Sequence, residues 1–526
     1  MKILNRKIKV ALLLIAFASC SEDFLNVIPK DQLTDELFWK TEKDANMALT
    51  GIYNNWESYF NILWWDLMTD NGYSQFPWDG VMVIGNGQAN AANTGREYFS
   101  YNQIRKCNNF LEKIDLIDMD ANKREIFKAE ARFLRAYDYF RKVQFYGDVP
   151  LVVKTIADPS EAKLSKDPKS EVVSFILAEL EEIAAVLPVQ NMRESNGHIT
   201  KGAALALKAR LELYEKNYVA AMVDAKQVME MNVYELFPDY SGLFLVDNEA
   251  QNKESILEIS YVQNLYPNGI WQHITPAKEG GWSSLSAVQT LVDSYEMVDG
   301  KTIDDPASGY DAQKPFINRD PRLDMTILYP GAWFNERYFN SLDRTSSDFH
   351  QNAAAPRSGY NVLKYLKIVP SDLFFNGDAN VMVIRLAEVL LIYAEAAIEL
   401  NQIADDVYNA IDMVRQRAGM PKVDRAEYNS QAKLRELVRR ERRVELAFEG
   451  LRYWDIKRWD IGQESLNGPL YGCLEGSVDA ETGFVTWSDT RIKLEDKVFY
   501  PERNYLLPIP QAELDANPNV KQNTGY

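Results

Sequence analysis

The sequence predicts a mostly α-helical fold, in which tightly paired helices form a scaffold and a long loop-rich, ligand-binding insert interrupts them, with few short strands. Three observations predict it. Apolar residues recur at three- and four-residue spacing in several separate blocks. Two of these blocks break at a short turn and resume, as helical hairpins do. Between those hairpins, residues 232–380 are rich in Gly, Pro, Asn and Asp and carry no sustained helical pattern.

The chain opens with Lys2, Arg6, Lys7 and Lys9, then an apolar run from Val10 to Ala18, then Phe17-Ala18-Ser19-Cys20 and Ser21-Glu22-Asp23. A basic start, a short apolar stretch and small residues before a cut make a secretory signal peptide over residues 1–19. The run is about half the ~20 apolar residues of a membrane span. A cysteine directly after the small residues resembles a bacterial lipobox, with Phe17 where Leu is usual. That resemblance implies cleavage before Cys20 and acylation of its sulfur and new amino group, a palmitate-type anchor. The alternative is an ordinary signal peptide with an unrelated cysteine.

Without the leader the chain has 507 residues, 54 basic and 76 acidic side chains and a net charge of −22. So acidic a chain argues against nucleic acid and anionic ligands, which require a basic patch, and suits a neutral ligand or a protein partner. The 46% hydrophobic content excludes a disordered adaptor. Cys107 and Cys473, read as one helical and one loop thiol, are too few for a disulfide framework.

Residues 122–145 read as one helix ended by Gly147 and Pro150. Residues 170–187 read as another, with Ser170 as N-cap and Glu171 in its first turn. Residues 202–231 form a hairpin that resembles a tetratricopeptide unit. Lys201, Lys208, Glu212 and Glu215 mark a wet face of its first helix, and Tyr218, Ala221, Ala225 and Val228 an apolar stripe on its second. A second hairpin covers 381–418, turning at Asn401 and stopping at Gly419 and Pro421. The two hairpins start too far apart for a uniform solenoid with its ~34-residue repeat. Ser255 to Ser260 alternates as a strand, with no partner assignable, and residues 61–98 form a second irregular stretch. The division is therefore 20–231 as an N-terminal helical part, 232–380 as the insert and 381–526 as a C-terminal helical part.

Several segments taken in order resemble one family. They include Cys20-Ser21-Glu22-Asp23-Phe24-Leu25 with Pro29, Phe38-Trp39, and Leu49-Thr50-Gly51-Ile52-Tyr53. Further on come Glu130-Ala131-Arg132-Phe133-Leu134-Arg135-Ala136 before Tyr146-Gly147-Asp148-Val149-Pro150, and Arg319-Asp320-Pro321-Arg322. Arg415-Gln416-Arg417-Ala418-Gly419 precedes Glu441 to Gly450, and Leu507-Pro508-Ile509-Pro510 precedes Gly525-Tyr526. Together these resemble the SusD/RagB family of nutrient-binding lipoproteins of Bacteroidetes. The resemblance implies a tetratricopeptide-like scaffold facing a TonB-dependent outer-membrane transporter of the SusC type. It implies a loop-rich face holding a glycan, or less often a peptide, and a lid role over that transporter. The acidic residues after Cys20 resemble the surface-export signal of such lipoproteins, which implies the outer face of the outer membrane.

For chemistry, the candidates are few. The histidines His198, His273 and His350 are isolated, and zinc, redox-thiol, serine-hydrolase and phosphate-loop motifs are missing. No cofactor or metal is expected; Asp299, Asp304 and Asp305 read as a solvated turn rather than a calcium loop. Glu441 sits among apolar positions of a helix over 431–449, as a general acid or as an ion pair with Arg439, Arg440, Arg442 or Arg443, and the pair is preferred. A glycoside hydrolase needs only two carboxylates, so it stays as a rival to a pure binder.

Aromatic clusters carry the ligand reading. The first runs from Trp64 and Trp65 through Asp70, Tyr73 and Phe76 to Trp78; the second spans Trp271 to Trp282; the third is Trp333-Phe334. A sugar ring offers a C–H face to a flat aromatic and hydroxyls to a polar rim, and Trp and Tyr are held at little entropic cost. Trp64 and Trp65 read as core. Trp282 stands where the family resemblance puts a sugar-stacking Trp. The expected contacts are Trp282, Trp78, Tyr73, Phe76, Asp70 and Trp271.

Overall fold

The computed structural model describes residues 38–190 and 197–526. The signal peptide, Cys20 and the family motif through Pro29 lie outside the described residues. The long helices are α1 (Glu42–Tyr53), α2 (Asn102–Lys113), α3 (Ala121–Tyr146), α4 (Lys169–Ala184), α5 (Lys201–Tyr214), α6 (Tyr218–Glu230), α7 (Leu386–Glu399), α8 (Asp405–Arg417) and α9 (Gln431–Glu445). They pack neighbour on neighbour from α2 through α7, and α7 then carries both α8 and α9. The two hairpins, remote in sequence, are thus adjacent in space, with α6 against α7. The insert loops out between them.

Most helix expectations hold at the level of the element and shift at the ends. α3 stops where Gly147 takes φ 71°. α4 starts at Lys169 after Pro168, so Ser170 lies inside the helix rather than capping it. The expected wet face of α5 is only partly wet: Lys201, Lys208 and Glu215 are half-buried, and Glu212 is buried because α5 packs between α4, α6 and α7. Lys208 bridges Asp224 at 3.0 Å and Glu181 at 2.5 Å there, and burial, then the hydrogen bond with Asp224, push the Glu212 carboxyl up to about 8.

The strands are β1 (Gly72–Ser74), β2 (Ser255–Ile259), β3 (Leu285–Ala287), β4 (Ile327–Leu328), β5 (Trp333–Phe334), β6 (Arg337–Tyr338), β7 (Asn361–Val362), β8 (Val381–Arg385), β9 (Gly468–Val478) and β10 (Val485–Lys497). They form two-stranded antiparallel ladders: β1 with β3, β2 with β8, β4 with β7, β5 with β6 and β9 with β10. β2 is the expected strand. Its partner β8 is the start of the expected second hairpin, where a buried run of Val381, Met382, Val383 and Ile384 prefers the extended chain before α7 begins. This ladder joins the two ends of the insert. The C-terminal part is not helical throughout, because β9 and β10 make a long hairpin there.

A buried ion network fixes α9. Arg322 is fully enclosed and binds Asp320, Glu441 and Glu445. Arg385 binds Glu254, Glu445 and Glu449. The helix ends at Glu445 rather than 449, since Phe448 adopts φ 58°, and the turn carries Glu449 to Arg385 and Lys364. Cys107 on α2 and Cys473 on β9, a strand rather than a loop, are buried and unpaired.

Candidate functional site

Two of the three expected aromatic segments, those around Trp78 and Trp282, come together, while the third, Trp333-Phe334, stands elsewhere. Ser58 caps the short helix Tyr59–Trp64, accepting from the Phe60 amide at 3.2 Å. Trp64 is core, as expected, and its Nε1 donates to Asp79 Oδ2 at 2.8 Å. The same oxygen accepts from Ser74 Oγ at 2.6 Å. Asp79 thereby pins the loop that follows β1 to this helix. Burial raises the Asp79 carboxyl against those two donors. The pinned turn Pro77–Asp79 sends Trp78 outward, 77% exposed and stacked on Phe76 at 4.8 Å and 22°.

Trp282 approaches from the insert. It follows Gly281, where a Cβ would lie 2.0 Å from the Thr275 carbonyl, so only glycine lets this strand fold back on residues 270–275. The Trp282 amide then donates to the Gln272 carbonyl at 2.8 Å, and the indole stands out, 39% exposed. His273 is the wedge behind it, edge-on to Trp282 at 5.3 Å and to Trp64 at 4.9 Å. Burial lowers the His273 imidazole to about 4, so it is neutral near pH 7.

Polar groups border these rings. Gln75 Nε2 donates to the Trp282 carbonyl at 3.1 Å, which ties the two segments together, while Gln75 Oε1 has no partner. The Arg96 guanidinium lies over Phe60 at 4.5 Å and donates to Asn61 Oδ1 at 3.5 Å. Phe60 itself stacks on Trp64 at 4.0 Å. Phe375, 57% exposed, meets Trp282 at 5.4 Å and 67°. Phe375, Phe60, Gln75 and Arg96 were not singled out in the sequence. Only the run Leu373-Phe374-Phe375-Asn376-Gly377, two rings inside a turn, carried a local signal.

Three of the six expected contacts, Trp282, Trp78 and Phe76, thus stand on linked segments of this face. Asp70 does not. It is buried, and Arg452 takes both its oxygens at 2.8 Å while Arg443 approaches at 3.1 Å. Burial opposes ionisation, but the two guanidiniums hold the Asp70 carboxyl well below the usual range. Its place is the core. Trp271 is also internal, 3% exposed, with Nε1 donating to the Tyr365 carbonyl at 3.2 Å. Tyr73 points to the other side of β1 from Ser74, toward the charges of Glu495 and Arg357.

Glu441 is an ion pair, though with other partners than its own helix offers: Arg322 at 2.5 Å and Arg415 at 3.0 Å. Burial would raise its carboxyl; the two cations outweigh that and lower it, which is the wrong direction for a proton donor. Asp299 accepts from the Lys301 amide, as a turn residue does, and among the described residues no group of three or more His, Cys, Asp or Glu is placed for a metal. A cavity of about 620 Å³ lies elsewhere, between α2 and residues 513–520. Its wall mixes aliphatic side chains with Arg105, Lys154, Lys163 and Glu513 and presents no cluster of exposed rings, and Asn108 and Tyr101 there are engaged by the Val152 and Pro150 carbonyls. The aromatic face is the better candidate, because three exposed rings, Trp78, Trp282 and Phe375, stand open there with the Gln75 amide and the Arg96 guanidinium beside them.

Comparison with known proteins agrees with this architecture. The SusD family model matches residues 243–526. A second model, described as starch-binding and associating with the outer membrane, matches residues 23–213. The chain is 27% identical to SusD-like protein P2 of Formosa agariphila, over 99% of each. It is 24% identical to the starch-binding protein SusD of Bacteroides thetaiotaomicron, over 76% of this chain and 72% of that one. Among solved structures, a SusD-like carbohydrate binding protein of Bacteroides fragilis superposes with a TM-score of 0.82 at 32% identity, covering 92% of this chain and 100% of the other.

Proposed function

The chain belongs to the SusD family, and we propose that it captures a neutral saccharide on the Trp282 face and passes it, without chemistry, to a TonB-dependent outer-membrane transporter. The observation that carries this is the exposed group of Trp282, Phe375 and the Phe76–Trp78 stack, bordered by Gln75 and Arg96. Flat rings cover the C–H face of a pyranose, and amide and guanidinium groups meet its hydroxyls.

The names of its relatives support a saccharide over a peptide, since one is a SusD-like carbohydrate binding protein and another a starch-binding protein. Lipid attachment at Cys20, exposure at the cell surface and a SusC-like partner belong to the same reading. In it the helical layer is scaffold, and the insert together with residues 61–98 supplies the binding face. The test is calorimetric titration with malto- and laminari-oligosaccharides and a peptide mixture, with product analysis of each mixture. Saccharide binding without turnover is expected. Saccharide cleavage, or binding of peptides alone, overturns the proposal.

A further inference from the structure

A second aromatic cleft stands apart from the Trp282 face. It is about 360 Å³ and is lined by Phe316, Tyr329, Trp333, Phe484, Val485 and Trp487. Trp333 is 64% and Phe484 61% exposed, so two large rings face solvent across one concavity. Isolated surface aromatics need no explanation, but converging ones do. The floor is built firmly: Phe316 stacks on Tyr329 at 3.8 Å, and the Tyr329 hydroxyl donates to Asp324 at 2.7 Å. The walls are pressed together by two glycines. Gly331 and Gly483 both hold positive φ, and a Cβ on Gly331 would lie 2.4 Å from the Gly483 carbonyl oxygen.

The wall that carries Trp333 is also fastened to the Trp282 loop. Arg337, on the β5–β6 hairpin, makes a bidentate pair with Glu279 at 2.9 Å and binds Asp348 at 2.7 Å. Asp348 in turn accepts from the Lys278 amide at 2.9 Å. Glu279 lies three residues before Trp282, a reach of at most about 11 Å even fully extended. The hairpin that positions Trp333 and the loop that positions Trp282 are therefore one fixed unit.

We propose that this cleft is a second saccharide subsite, which receives a distal sugar unit of the same glycan whose other units lie on Trp282. The inference rests on the function proposed above and narrows its ligand to an extended neutral chain rather than a mono- or disaccharide. Stacking surface at both ends makes the second contact intramolecular once the first is made, so affinity rises with chain length.

The test is calorimetry on the purified protein with malto- and laminari-oligosaccharides of increasing length, comparing wild type with Trp333→Ala, Phe484→Ala and Trp282→Ala. Trp333 and Phe484 are exposed, so their removal leaves the fold intact. In wild type, affinity should climb beyond the shortest member bound. Trp333→Ala and Phe484→Ala should each lower the affinity for long members by about tenfold and leave the shortest unchanged. Length dependence that persists in both variants overturns the subsite while sparing the Trp282 reading. A wild type that binds no member overturns that reading and the subsite with it.

Discussion

Replacing Trp282 by Ala removes the indole that the proposed function places under a sugar. The indole leaves 39% of its surface open, about 100 Å² on a side chain of about 250 Å². A ring covering half to all of that area takes about 50–100 Å² from water, worth about 1.2–2.5 kcal/mol at about 25 cal/mol per Å². Kd for the best-bound oligosaccharide should therefore rise about 8- to 70-fold, as read by calorimetry. The fold should survive, because the lost contacts are edge contacts to His273 and Phe375 rather than core packing. A Tm lowered by no more than about 4 °C is expected. Since His273 is held neutral, with its imidazole lowered to about 4, Kd should also stay constant from pH 6 to 8. A Kd within about twofold of wild type, with Tm preserved, would refute the stacking argument.

Other perturbations reach the rest of the molecule. Arg322→Met leaves Asp320, Glu441 and Glu445 without their shared buried cation and should cost about 3–5 kcal/mol in urea denaturation; a loss under ~1 kcal/mol would show that the network is dispensable. Glu212 titrates in the fold at about 8, above its unfolded value, so the fold keeps a proton that the unfolded chain releases. Stability from this group is present below about pH 4.5 and is lost as pH rises to about 8. Glu212→Gln should consequently gain on wild type by at least ~1 kcal/mol between pH 5 and 9, and parallel pH profiles would contradict the assignment. Cys20→Ala should move the protein from the membrane to the soluble fraction, whereas retention in the membrane would remove the lipid anchor from the proposal.

Periodicity made the scaffold legible. The Ala221, Ala225 and Val228 stripe and the stop at Gly419 follow from local rules and reappear in α6 and α8. What sequence did not reveal depends on neighbours. Glu212 reads as solvated on its own helix and becomes buried only because three other helices enclose it. The partners of Glu441 come from Arg322 and Arg415, far along the chain, where no helical spacing points. β10 shows no two-residue alternation, since only Ile492 and Lys497 along it are buried and irregularities shift its register with β9, and so the hairpin went unassigned.

The binding face divided on the same line. Trp78 and Trp282 follow Pro77 and Gly281, turn residues that push a side chain outward, and both are exposed. Asp70 and Trp271 share their segments but are drawn inward by Arg452 and by the Tyr365 carbonyl. Phe60 stacks on Trp64 one turn along its own short helix, whereas Phe375 joins the face only through its tertiary contact with Trp282.

The most direct measurement is a crystal structure of the protein with a bound malto- or laminari-oligosaccharide. The predicted result is a pyranose ring lying flat on Trp282, with Gln75 or Arg96 hydrogen-bonded to its hydroxyls. A sugar held elsewhere, with Trp282, Phe375 and Trp78 untouched, would contradict it.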